Sequence, residues 1–327
     1  MSIEPPLRAA VERLDLSVRC CAEYFFGWTG IDGRAGVVPS GRRRLGVITL
    51  LCGSVIDSSR QTAMPAAIAC ELAFGSALIH DDVIDADLTR RGRPAVWSAF
   101  GMPAAILTGN ALVGLAFAIL VEAKPAVAAE SSGRLARAVQ EVNRGQMLDV
   151  EFERRADVTV EDYLDMVAAK SGAFVACGCA LGALLAGAGA ELVDGLAEFG
   201  NRLGLIWQLN NDLLGIWGDP TRTGKPALSD IKARKKTFPV ISALSTAGPN
   251  RDRLRVFYGS GGQEAMQDDE ATLAADLVER CGGLGRTQSE IEYQLDKAMH
   301  FLSELVPDRD SRTQLADLAC FYAGSDR

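Results

Sequence analysis

The chain has 327 residues, 48% of them hydrophobic, which is enough apolar surface to build a substantial core. Its formal charge of -8 at neutral pH excludes the basic face that nucleic-acid binding requires. Aromatic residues make up only 6%, and long runs of Ala, Leu and Val favour close-packed helices over sheet, so the expected class is all-α.

In chain order, residues 8–27 read as an amphipathic helix, followed by a Gly-rich loop over 28–41 and the basic cluster Arg42, Arg43 and Arg44. Helical apolar spacing resumes over 45–57 and 64–85, and the polar run from Asp87 to Pro94 interrupts it. Further helices are expected at 103–123, 127–155, 160–188, 191–217, 228–246, 263–281, 285–304 and 309–322. No strand-rich block, repeat or long linker divides the series, so one domain over residues 1–327 is expected. Residues 95–121 and 171–190 carry no charge and are long enough to cross a bilayer. The first is broken by Gly101, Pro103, Gly109 and Asn110, and the second is rich in Gly, Ala and Cys. Both therefore read as buried core helices, with no membrane span. The eight cysteines are scattered through apolar runs with no signal peptide before them, as in a reduced cytoplasmic protein. Cys177 and Cys179 read as small core residues.

Two segments carry chemistry. The first, His80-Asp81-Asp82-Val83-Ile84-Asp85-Ala86-Asp87, closes the helix over 64–85. Asp81 and Asp85 stand one helical turn apart, so their carboxylates repel unless a cation lies between them. Mg²⁺ suits that place, because it takes oxygen ligands and commonly bridges carboxylates to phosphates. A solvated acidic turn is the plainer alternative. Thr89-Arg90-Arg91-Gly92-Arg93-Pro94 follows at once, however, and guanidinium forks match phosphate oxygens, as a diphosphate site requires. A surface salt-bridge network would account for the same residues without a ligand.

The second segment runs from Trp207-Gln208-Leu209-Asn210-Asn211-Asp212 through Gly215 and Asp219 to Thr223-Gly224-Lys225-Pro226, Asp230 and Lys235-Lys236-Thr237. Asn211, Gly215 and Asp219 fall at i, i+4 and i+8, a helical stripe with oxygen ligands at its ends. Lys225 and Lys235 then follow as cations for a diphosphate.

Together with Gly145-Gln146 and Lys170-Ser171, these segments resemble the trans-isoprenyl diphosphate synthase (polyprenyl synthetase) family over nearly the whole chain. The resemblance implies a helical bundle around a deep central cavity, three Mg²⁺ ions, an allylic prenyl diphosphate substrate and, usually, a homodimer. It implies that Asp81, Asp82, Asp85, Asn211 and Asp212 are catalytic, with Asp81, Asp85, Asn211, the position of Gly215, and Asp219 around the metal. It also implies that Arg90, Arg91, Lys170, Lys225 and Lys235 contact diphosphate, and that Gln208 lines the cavity.

The chain departs from the family's pattern in three places. Where elongating members carry Gly-Lys-x-x-Arg-Pro to hold isopentenyl diphosphate, it has Gly41-Arg42-Arg43-Arg44-Leu45-Gly46, and at the family's histidine it has Phe74. Phenylalanine cannot donate to phosphate. The first aspartate of the second motif is Asn211, which is similar to the metal motif of class I terpene cyclases. The expected activity is therefore ionisation of one allylic diphosphate followed by cyclisation. Prenyl elongation and a non-catalytic partner subunit are the alternatives. Ser76 and Ala77, small residues one turn before Asp81, favour a substrate of about C20, with Phe74, Phe100, Phe117 and Trp207 available to shape the chain or face a cation.

Overall fold

The computed structural model describes residues 2–36, 41–155, 157–219, 227–258 and 265–324. Among these the chain is helical almost throughout, in the all-α class that its composition implies. The helix expected over 8–27 is two, α1 (Glu4–Val11) and α2 (Leu16–Phe25), because Asp15 leaves the helical region and caps the second by accepting from the Ser17 N–H at 3.0 Å. Next come α3 (Arg44–Ser54), α4 (Met64–Ile84), a hairpin of β1 (Thr89–Arg90) and β2 (Arg93–Pro94), α5 (Val96–Phe100) and α6 (Met102–Ala123). After α7 (Ala128–Phe152), the helix expected at 160–188 has three parts: α8 (Val160–Val167), a π-helical turn (Ala168–Gly172) and α9 (Ala173–Ala186). α10 spans Ala190–Trp217.

Beyond it, the helix expected over 228–246 is broken into Ser229–Lys232 and Phe238–Leu244. Arg234 lies between them in the left-handed region (φ 52°), and Pro239 favours a new first turn over continuation of an old one. The helix Pro249–Tyr258 has no counterpart among the expected elements, whereas Asp268–Arg280, Gly283–Leu305 and Arg309–Tyr322 lie within a few residues of theirs.

The chain forms two compact units: Met1–Gln140 with Phe174–Gly200 and Phe301–Leu315, and Glu141–Ala173 with Asn201–His300 and Ala316–Arg327. In the first, α4 packs against α3 and α6, and the approach of α9 to α3 depends on small residues. A Cβ on Gly182 would stand 2.1 Å from the Thr49 carbonyl oxygen, so only glycine admits that contact. Cys52, Cys70, Cys177 and Cys179 are buried in this unit, as small core residues should be. The second unit has its own core, in which Ile216, Ile231, Val240, Leu254 and Leu277 belong to one buried cluster. Burial of each such aliphatic side chain contributes roughly 1.5–3 kcal/mol. By length and apolarity alone, Met102–Ala123 and the run Val160–Ala186 would cross a membrane. In the second run 72% of the most apolar window is buried inside the protein, as in a core helix.

Candidate active site

The first acidic motif is positioned by the end of α4. Residues Ala66–Ala73 of this helix are buried, which fixes its axis and delivers Asp81 and Asp82 in the last turn and Asp85 as the C-cap. The chain then leaves through Ala86 in the left-handed region (φ 53°), and the Asp87 N–H returns to the Asp82 carbonyl at 3.0 Å. This wrap-around closes the helix without the usual glycine, at a cost of about 1–2 kcal/mol.

The hairpin follows, and its two turn residues, Arg91 (φ 56°) and Gly92 (φ 74°), are both left-handed, the backbone twist that a two-residue hairpin needs. It sends Arg90 back over the acidic turn. Its Nε donates to Asp82 Oδ1 at 2.5 Å, and a terminal nitrogen donates to Asp81 Oδ2 at 3.3 Å. Arg93 instead fastens the hairpin to the end of α2 and the loop beyond it, donating to the Tyr24 and Thr29 carbonyls at 3.1 and 3.0 Å and covering the Tyr24 ring at 4.0 Å. Tyr24 answers through its hydroxyl, which donates to the Pro94 carbonyl at 2.8 Å. Arg91 points the other way, over the Phe25 ring and against Gly41, where a Cβ would come within 2.7 Å of the guanidinium. Desolvation and the repulsion of Arg43 and Arg90 lower Arg91 to about 10, so it stays charged at neutral pH although part of it meets solvent. A small cleft runs among Tyr24, Phe25, Asp82, Arg90, Arg91 and Arg93.

Asp82 is 1% exposed, and burial raises its carboxyl to about 6 against the opposing pull of Arg90. Its Oδ2 is buried without a hydrogen-bond partner among the described residues, an atom in need of a cation or a proton. Upstream, Phe74 is half-buried with its ring 6.3 Å from that of Phe174, and Ser76 is buried while Ala77 is half-buried. Leu45 is a core residue. Arg43 is buried with a left-handed backbone (φ 48°), donates to the Phe26 carbonyl at 2.7 Å and pairs with Glu4 at 2.9 Å. The basic cluster therefore meets Arg91 near Gly41, supplying guanidinium groups that a count based on Leu45 overlooks.

In the second unit, α10 carries Trp207, Gln208, Asn211, Asp212 and Gly215, and Asp219 lies two residues past its end. Asn211 and Asp219 are exposed. Asp212 is 1% exposed, and its carboxylate accepts from the Tyr163 hydroxyl, from Gln208 Nε2 at 2.9 Å and from the Phe238 N–H at 3.1 Å. Burial pushes its carboxyl up to about 7, opposed by those three bonds. This aspartate faces the protein interior and joins α8, α10 and the helix Phe238–Leu244. Gln208 also accepts from the Ser171 hydroxyl at 3.2 Å, and the Trp207 ring lies 6.1 Å from that of Tyr322.

Lys170 sits in the π-helical turn, a local widening that re-aims side chains and recurs at functional sites. It donates to Asp149 Oδ2 at 2.5 Å. Gly145 permits this approach, since a Cβ there would lie 2.3 Å from the Lys170 nitrogen. Lys235 is exposed in the loop before Phe238. Lys225 lies outside the described residues. Spacing alone missed Tyr163, Asp149 and the π-helical turn. Asp149 could have been found, being one turn beyond Gly145 on a helix already recognised, but the other two depend on packing.

The polyprenyl synthetase profile matches residues 34–275. The chain belongs to the polyprenyl synthetase family. It thereby belongs among enzymes of isoprenoid diphosphate chemistry. It is 34% identical to (2E,6E)-farnesyl diphosphate synthase of Mycobacterium bovis over 97% of its own length and 89% of that protein. It is 36% identical to geranylgeranyl diphosphate synthase of Mycobacterium tuberculosis, covering 95% and 89% respectively. Among solved structures, the polyprenyl synthetase of Streptomyces coelicolor A3(2) superposes with a TM-score of 0.92 at 35% identity, covering 98% of this chain and 96% of that one.

These relatives overturn the cyclase expectation. At this identity and over nearly the full chain they are diphosphate synthases, so the departures at Leu45, Phe74 and Asn211 occur within a family of prenyl-elongating enzymes. The physical reason is visible at Arg91, whose guanidinium lies against Gly41 at the start of the basic cluster, a positive charge that the count based on Leu45 left out. The loss of one motif was mistaken for the loss of positive charge.

Proposed function

We propose that the chain is a Mg²⁺-dependent prenyltransferase that joins isopentenyl diphosphate to an allylic diphosphate to make a longer prenyl diphosphate, such as geranylgeranyl diphosphate. The observation that carries this reading is the end of α4, where Asp81 and Asp82 pair with the hairpin guanidinium of Arg90 and Asp85 caps the helix. The donor set fits the ion, being carboxylate oxygens with one buried atom, Asp82 Oδ2, left without a hydrogen bond among the described residues. At the first motif Asp81, Asp82 and Asp85 would hold Mg²⁺; at the second motif, taken by itself, Asn211, Asp219 and the position of Gly215 would do so, with three ions in all by the family's habit. When bound, Mg²⁺ neutralises charge building on the departing diphosphate.

The chain's own groups do the rest. Arg90 beside the first motif, and separately Lys170, Lys225 and Lys235 of the second unit, are the cations for diphosphate; the allylic C–O bond breaks and its electron pair leaves with the diphosphate. Arg91, with Arg42 and Arg44, orients isopentenyl diphosphate, whose double bond forms the new carbon–carbon bond. Loss of a proton to the released diphosphate then restores an alkene. Apolar walls keep water from the cation. The small Ser76 and Ala77 in the turn before Asp81 favour a C20 product. The exposed Met102, Ile106, Leu107 and Val121 of α6 support a homodimer in which a second copy covers that helix, in a soluble cytoplasmic enzyme.

The test is incubation with geranyl, farnesyl and geranylgeranyl diphosphate plus Mg²⁺, with and without isopentenyl diphosphate. A longer prenyl diphosphate should form only when isopentenyl diphosphate is present. Hydrocarbon and free diphosphate from the allylic substrate alone would refute the reading.

A further inference from the structure

The middle position of the second motif, one turn from Asn211 toward Asp219, is Gly215, which has no side chain to offer a metal ion. A Cβ built on Gly215 would stand 1.9 Å from Oδ2 of Asp230 and 2.5 Å from its Cγ. The space that a ligand side chain on α10 would occupy is therefore filled by a carboxylate arriving from the short helix Ser229–Lys232.

That arrival is built into the fold of the second unit. Ile231, fully buried, shares a core cluster with Ile216, so the residues just before each of them are brought together. The Ser229 hydroxyl donates to the Gly215 carbonyl at 3.4 Å, and the Lys235 N–H returns to the Asp230 carbonyl at 2.9 Å, closing the segment behind the carboxylate. Glycine at 215 leaves room for this approach, since an alanine Cβ would collide with the carboxylate unless the Asp230 side chain turned away.

We propose that Asp230 is a specificity-setting ligand for the second motif's metal, replacing through space the acidic side chain that Gly215 lacks. The proposal rests on the Mg²⁺-diphosphate reading of this motif. It also predicts that the carboxylate can be moved. An acid at position 215 should replace Asp230 once Asp230 has been removed, because both would place oxygens at the same point from opposite sides.

The test is calorimetric titration of the full chain with inorganic pyrophosphate in the presence and absence of Mg²⁺, with melting curves taken in the absence of metal to verify folding. If the unsubstituted chain shows no Mg²⁺-dependent pyrophosphate binding, the reading of the motif fails, and this proposal with it. If it binds, Asp230→Asn should weaken the Mg²⁺-dependent affinity by about tenfold or more, a typical loss when a metal site is disturbed. The double variant Gly215→Asp with Asp230→Ala should recover most of it. Binding unchanged in Asp230→Asn, or lost in Asp230→Asn and not recovered in the double variant, would overturn the role of Asp230 while leaving the motif's assignment intact.

Discussion

The two acidic motifs are built in opposite ways. The first is local. Asp81, Asp82 and Asp85 follow one another at the end of α4, and the cation that meets them, Arg90, comes from a hairpin only a few residues later. The second is assembled. Its helix carries an amide at 211 and a glycine at 215, its most conspicuous acid is turned inward to Tyr163 and Phe238, and the carboxylate at its centre comes from another element, Asp230. Where carboxylates are contiguous on a helix end, spacing alone shows that they stand together. Where packing brings them together, spacing leaves out their partners, and Asp212, buried against Tyr163, Gln208 and the Phe238 N–H, is the instance.

The largest expected effect tests the local motif. Asp81→Ala removes a proposed oxygen ligand from a half-buried helix end that packs little of the core. Turnover should therefore fall on the order of 10³-fold or more, the scale of several kcal/mol of metal-assisted charge stabilisation, while the melting temperature changes little. Steady-state kcat/KM together with a melting curve checks both halves. Full activity would remove the metal assignment.

The assembled motif should respond the other way. Asp212→Asn places an amide N–H among three donors, the Tyr163 hydroxyl, Gln208 Nε2 and the Phe238 N–H, so at least one buried donor loses its acceptor. A loss of about 1–3 kcal/mol in stability is expected from the urea midpoint. Any activity that remains, measured well below the melting range, should have nearly the original KM. If stability is unchanged and kcat alone collapses, Asp212 belongs to the chemistry after all and the contrast between the motifs disappears.

How much was legible in the sequence follows the same division. Helix identity came through because apolar spacing on α4, α6, α7 and α10 is long and regular. The breaks did not, because each depends on a single residue's backbone: Asp15 capping α2, Arg234 in the left-handed region, and the π-helical turn that lifts Lys170. Asp81, Asp82 and Arg90 were found together and pair in the structure, with Asp85 the C-cap of the same helix. The basic cluster was found but misjudged, since Arg91 reaches Gly41 through a hairpin whose turn no residue count could orient. Tyr163 gave no signal, its partner lying 49 positions away in sequence, and Asp230 was placed in the second segment without its approach to Gly215, 15 positions earlier.

The smallest effect concerns a second buried acid, Glu71, which separates fold from chemistry in the first unit as Asp212 does in the second. It lies on α4 upstream of the motif, is 5% exposed, and accepts from the Gly46 N–H at 2.8 Å. Burial raises its carboxyl above the ordinary value of 4.5, opposed by that N–H and by Arg43 and Arg91. The folded chain therefore holds this proton more tightly than the unfolded chain does. The stabilisation it gives is complete below the ordinary carboxylate range and is lost as pH rises through and beyond it. Glu71→Gln keeps the acceptor for Gly46 and cannot ionise, so its melting temperature should fall less than that of the unsubstituted chain between about pH 5 and about pH 8. Parallel melting curves would mean that Glu71 ionises as readily folded as unfolded. The guanidinium groups of Arg43 and Arg91 would then outweigh burial, and the wall behind the first motif would be charge-balanced like the motif itself.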